Sequence, residues 1–169
     1  MQRHPFRRSS FKRRAVLGLL ATLPAAARAA TPGEDAPQPE LPKEKLVIVT
    51  KDGKSHEFMI EMALEPEQQR IGLMFRPSVP ENGGMLFDWG TPRESSMWMR
   101  NTISSLDMVF INQDGTIRAI AERTIPRSLA TISSRGPVRA TLELAAGTTE
   151  RLNIRVGDKV QHRLFSSAG

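Results

Sequence analysis

Apolar and polar positions change rhythm several times along the chain, and short periods dominate. Residues 46–50 (LVIVT) form a β-branched apolar run, Lys51-Asp52-Gly53-Lys54 carries the Asp-Gly hairpin signal, and residues 56–63 alternate Phe58, Ile60 and Met62 with polar neighbours. Together they predict a β-hairpin. Glu65-Pro66-Glu67 opens a short helix, with proline at its first position and acids where the helix end is positive, and Gly72 is placed to stop it. Residues 80–84 read as a loop, and Met85-Leu86-Phe87 as a short strand that Trp89-Gly90-Thr91-Pro92 breaks.

The stretch from residue 96 to 111, SMWMRNTISSLDMVFI, is where apolar and polar positions mix most closely. Residues 97–100 predict a strand, 101–105 a bend, and 106–111 a strand buried on both faces. A second hairpin turn at Asn112-Gln113-Asp114-Gly115 leads to alternation over 116–124. Residues 127–137, with serines and a Gly-Pro, read as a long irregular connection. A strand over 138–144, a helical turn near 147–153 and a turn at 156–160 into a last strand complete the pattern. Many short strands, glycine turns and only one or two short helices predict a mainly β (α+β) domain, a compact closed or half-closed β-barrel-like fold. Strands do not alternate with long helices, which argues against a doubly wound sheet.

With 169 residues, 39 % of them hydrophobic and 25 % charged, the chain suits one globular domain. Its charge needs locating. The formal net charge is +6, yet seven of the 24 bases and none of the 18 acids lie in residues 1–29, leaving 17 bases against 18 acids. That balance carries no bulk footprint for nucleic acid. Residues 1–29 themselves, basic to Arg14, apolar over 15–23, then Pro24 and Ala27-Arg28-Ala29, form a secretory signal with cleavage expected near Ala29. Arg13-Arg14 with the apolar residues that follow fits twin-arginine export, while an arginine-rich general signal fits equally. The mature form is thus expected to be periplasmic or secreted, with no stable membrane span. Residues 30–44, with four prolines among polar residues, read as a disordered linker before a domain over 45–165. The chain has no cysteine, which excludes disulfides and thiol chemistry.

Several motifs occur in a fixed order: EQQRIGLMFR (67–76), GMLF (84–87), MWMRNT (97–102), LDM (106–108), LELAAG (142–147) and Gly157-Asp158. In this order the chain resembles the domain of unknown function 192 family over nearly all of residues 45–162. The resemblance implies a compact β-rich domain, often exported in bacteria, and no activity. Ser104-Ser105 stands where members often have a proline before the Leu-Asp pair, so the bend there departs from the family pattern.

The candidate chemistry gathers on the same stretch. Arg70, Arg76, Arg100, Asn101, Thr102 and Asp107 supply charges, an amide and a hydroxyl next to apolar runs, where each buried polar group needs a partner. One reading makes them a pocket for a small polar ligand, with Met97, Trp98 and Met99 in its wall. The other makes them a fold-fixing network in which Asp107 caps the bend and an arginine pairs with Glu143. A hydrolase built on Asp107 with Glu122 or Glu143 is the catalytic alternative. Met97 and Met99, alternating on a strand, would offer two thioethers to Cu(I), though methionine at such positions more commonly fills core. The three histidines have no metal-ligand spacing, so no metal or cofactor is expected. The sequence thus favours non-catalytic binding of a small ligand or an envelope protein. It also predicts that Trp98, on a central strand, is core, with Trp98→Ala costing about 3–5 kcal/mol.

Overall fold

Strands of period two leave backbone groups unbonded and an apolar face wet until they pair, and here all of them pair into one sheet. In the computed structural model, which describes Met1 and residues 30–165, β1 (Lys43–Val49) and β2 (Ser55–Ala63) form the first hairpin. The export signal expected over residues 1–29 lies, Met1 apart, outside the described residues. Helix α1 (Pro66–Ile71) crosses over to β3 (Gly83–Met97), which runs parallel to β2. β4 (Leu106–Ile111) and β5 (Ile117–Ala121) make the second hairpin, and β6 (Ile132–Ala145) lies between β4 and β3. A single turn of helix, α2 (Thr148–Arg151), precedes β7 (Lys159–Gln161) beside β1. The order is β5-β4-β6-β3-β2-β1-β7. The two edges touch where Thr116 bridges Lys159 and the Ile117 N–H donates to the Asp158 carbonyl at 2.9 Å, so the sheet curls into a half-barrel. The predicted mainly β, half-closed barrel with two short helices is the fold observed.

Alternation sends the two sides of each strand into two cores. Leu46, Ile48, Phe58, Val109, Leu142 and Val160 fill the barrel; Met85, Phe87, Leu106, Met108 and Phe110 point the other way. Strand β4 serves both, and all six of its residues are buried, as its unbroken apolar run predicts. The second face is roofed by α1 and the chain after it. Gln69 Nε2 holds α1 down by donating to the carbonyls of Ala63 (3.1 Å) and Asp88 (2.7 Å). Gly72 then turns the chain at φ 52°, where an added Cβ would lie 3.0 Å from the Phe87 ring.

Four expectations are corrected. Trp89-Gly90-Thr91-Pro92 does not end the strand: β3 runs through it as a register shift against β6 between Asp88 and Arg93, which tolerates proline and a glycine at φ 74°. Residues 97–100 are not a strand, since β3 stops at Met97 and a turn follows. Of the irregular connection 127–137, residues from Ile132 onward belong to β6, again through a register shift, between Glu94 and Ser96. Residues 31–43 lie on the domain rather than free of it. Gln38 Nε2 donates to the carbonyls of Gln68 (3.1 Å) and Gly72 (2.9 Å), Asn101 Nδ2 to that of Gly33 (3.1 Å), and the Leu41 N–H to the Glu61 carboxylate (2.8 Å). A short helix leaves its last carbonyls unbonded, and a glutamine carried by the neighbouring segment satisfies them.

Candidate functional site

Between the roof and the second face lies a cleft of about 530 Å³. Its floor comes from Phe87, Trp89 and Glu143, its roof from α1 with Leu73 and Met74, and its far side from Met97, Trp98 and Thr102. Phe87 and Trp89 share a strand face two residues apart, and their rings stack with centroids 5.8 Å apart. The Trp89 Nε1–H donates to Thr141 Oγ1 at 3.2 Å, and Thr141 Oγ1 lies 3.2 Å from Ser95 Oγ, so this wall is held in one orientation. The Arg93 guanidinium stands 4.4 Å over the Trp89 ring and makes no ion pair among the described residues. Arg100 stands 5.5 Å over Trp98 at the rim.

Glu143 is the chemical centre of the cleft. It sits on β6 opposite Met85 on one side and Met108 on the other, two apolar neighbours that give it nothing to bond. Gly84 permits this contact of β3 and β6, because a Cβ there would fall 2.3 Å from the Glu143 carbonyl oxygen. The side chain is 4 % exposed and has no hydrogen bond or ion pair among the described residues. Burial alone pushes its carboxyl up to about 8, so at neutral pH it is a neutral acid with one O–H to give. A buried polar group without a partner costs stability, and Glu143 carries that cost at the edge of a cleft. A larger depression, about 710 Å³, lies beside β5 and the start of β6, but Arg118 there already donates to the Arg135 carbonyl at 2.7 Å. Size alone does not make it the better site.

The other predicted site residues divide. Arg70, Met97, Trp98 and Thr102 line the cleft with Glu143. Arg70 is also bonded twice to Glu67, at 2.7 and 2.6 Å. Arg76 is turned away into a buried two-point pair with Glu61 at 2.8 and 2.9 Å. Among the described residues no arginine pairs with Glu143, contrary to the network reading. Asn101 adopts φ 56° and works as a joint, its carbonyl taking the Phe75 N–H at 2.9 Å. Met99 is core, with its sulfur accepting the Thr124 hydroxyl at 3.2 Å, so it does not join Met97; Met74 does.

Asp107 is fully buried and saturated. It accepts the N–H groups of Arg123 (2.9 Å), Gly147 (3.0 Å) and Thr149 (2.9 Å) and the Thr149 hydroxyl (2.8 Å). It therefore ties the start of α2 to the loop after β5 instead of capping the bend after Asn101. Glu122 lies outside, 3.0 Å from the same hydroxyl. A sealed carboxylate cannot reach a substrate, and the Asp107 pairings of the hydrolase reading fail on that ground.

Trp98 is 47 % exposed, not core. With only half of its surface to lose, Trp98→Ala should cost about 1 kcal/mol rather than the larger loss expected of a buried ring, and a thermal melt will show which. Trp89, Arg93 and Thr141 escaped the sequence reading. The Phe87–Trp89 spacing of two was the available signal, and the supposed strand break concealed it.

The comparisons add a family and two folds. The profile of the domain of unknown function 192, described as an uncharacterized ACR, matches residues 47–162. A Sinorhizobium meliloti 1021 protein provisionally named a transcription regulator is 44 % identical, with a TM-score of 0.72 over 73 % of this chain and 96 % of that one. A protein of unknown function from Novosphingobium aromaticivorans DSM 12444 is 33 % identical, with a TM-score of 0.70 over 82 % of this chain and 94 % of that one. No curated protein matches the sequence.

Proposed function

Because the chain belongs to the domain of unknown function 192 family, whose name carries no activity, the site must supply the function, and we propose that it binds a small ligand in the Glu143 cleft without catalysis. One observation carries this reading: a buried, partnerless carboxylic acid opens onto a cleft walled by both of the chain's tryptophans. The ligand this geometry suits has a flat or apolar face for the indoles and a hydrogen-bond acceptor for the Glu143 O–H. An anionic group would meet Arg93, whose charge no other described residue neutralises. The export signal read in residues 1–29 puts this binding in the periplasm or outside the cell, among envelope components. Regulation of transcription, the name given to the Sinorhizobium protein, has no support in the charge of residues 30–169.

The raised carboxyl of Glu143 favours one second reading, a hydrolase in which it protonates a leaving group. The cleft lacks what such an enzyme needs besides an acid. Its other lining side chains include the hydroxyls of Ser96 and Thr102 but no second carboxylate and no histidine to act as base.

Both indoles wall this cleft, which makes NMR of their two N–H resonances the direct test. Adding the small-molecule extract of the protein's own cells should shift both in the wild type and leave them nearly in place in Glu143→Leu. Unmoved resonances in the wild type would overturn ligand binding. Equal shifts in both proteins would remove Glu143 from the site.

A further inference from the structure

The turn after β3 and the loop between β5 and β6 lock together at one end of the half-barrel. The Met99 N–H donates to the Ser128 carbonyl at 3.0 Å, and the Arg127 N–H to the Thr102 carbonyl at 2.9 Å. This interlock brings Trp98 near a tight turn in which the Ser128 N–H returns to the Ile125 carbonyl at 3.2 Å. Ile125 and Leu129, on either side of that turn, are 73 % and 68 % exposed, the most exposed large apolar side chains between residues 30 and 165. With Trp98 they place three wet apolar side chains on neighbouring loop tips, an arrangement that marks an interaction surface.

The two segments that carry them have charge of one sign. Residues 95–106 and 123–139 contain no aspartate or glutamate, and they contain Arg100, Arg123, Arg127, Arg135 and Arg139. Arg123 is occupied by Glu150 and Arg139 by Asp88, whereas Arg100 and Arg127 have no ion pair among the described residues. Residues 30–169 carry 17 bases against 18 acids, and with these five arginines set aside 12 bases face 18 acids, so the cationic character belongs to these segments.

We propose that this end docks on an anionic lipid surface. Ile125 and Leu129 enter the acyl boundary, Trp98 lies at the headgroup level, and Arg100 and Arg127 face lipid phosphates. A protein partner fits less well. Specific protein interfaces bury about 800 Å² on each side in a shaped contact, whereas three side chains on loop tips, two of them lining none of the molecule's larger clefts, offer points of insertion. A bilayer accepts such points at any spacing. Trp98 also walls the Glu143 cleft, so docking leaves that cleft beside the membrane, although the proposal stands whether or not the cleft is filled.

Co-sedimentation of the full chain with vesicles tests this. Vesicles of phosphatidylcholine with one third phosphatidylglycerol should bind the protein at least about tenfold more tightly than phosphatidylcholine alone, with weakening in high salt and a blue shift of tryptophan emission. Ile125→Ser with Leu129→Ser should cost about tenfold or more in partition, and Arg127→Glu about fivefold or more. Both variants change exposed side chains and should melt like the wild type. All three proteins carry the same basic N-terminus, so a difference between them belongs to the loop. Failure of the wild type to bind the anionic vesicles would overturn the proposal and point to a protein partner. Equal binding by the double variant would overturn it too, assigning attachment to the arginines before residue 15.

Discussion

Asp107→Ala is expected to cost about 3–5 kcal/mol, enough to unfold much of the population of a domain of this size. The carboxylate takes four hydrogen bonds, three of them from backbone N–H groups of Arg123, Gly147 and Thr149. Truncation leaves those donors in a fully buried site without an acceptor and opens a small cavity beside them. Asp107→Asn should be nearly as damaging, because its amide turns two donors toward groups that already donate. Urea unfolding decides the point. A variant that kept wild-type stability while losing a binding or catalytic property would return Asp107 to the list of site residues and overturn its structural role.

Glu143→Gln should do the opposite, and the direction depends on pH. The carboxyl titrates near 8 in the folded protein against 4.5 in an open chain, so between those values the folded state keeps a proton that the unfolded state releases. Stability from this group is therefore complete below about pH 4.5 and falls as pH rises to about 8. Glutamine cannot ionise. The variant should match the wild type near pH 4 and exceed it by about 4–5 kcal/mol at pH 8, the order of magnitude that the shift converts to. Unfolding curves at both pH values measure the difference. A gap that does not widen with pH would mean that Glu143 is ionised in the native protein, with a bound cation or another partner answering it, and the neutral-donor chemistry proposed for the cleft would fall with it.

These two carboxylates show how far the chain could be read. Both lie in apolar strand sequence, LDM and LEL, and the sequence puts Asp107 first, in the binding and the hydrolase readings alike, with Glu143 only as a second carboxylate or an arginine's partner. In the fold, Asp107 faces the start of α2, where backbone N–H groups converge, while Glu143 faces Met85 and Met108 and the open cleft. Register placed them so. Trp98 repeats the lesson: MWM reads as strand alternation, but β3 ends at Met97, and the indole turns outward with one face on the cleft.

The sequence by itself determined the class of fold, the two hairpins, the short capped helix and the two-sided burial of β4. Each is written in local periodicity and turn chemistry, which act over a few residues. Tertiary structure alone decided the passage of β3 and β6 through glycine and proline, the docking of residues 31–43 by Gln38, the pairing of Arg76 with Glu61 and the solitude of Glu143. The reason is physical. A side chain's bonding depends on which backbone amides and charges the fold brings against it across separations of 15 to 40 residues, and no local pattern records that distance.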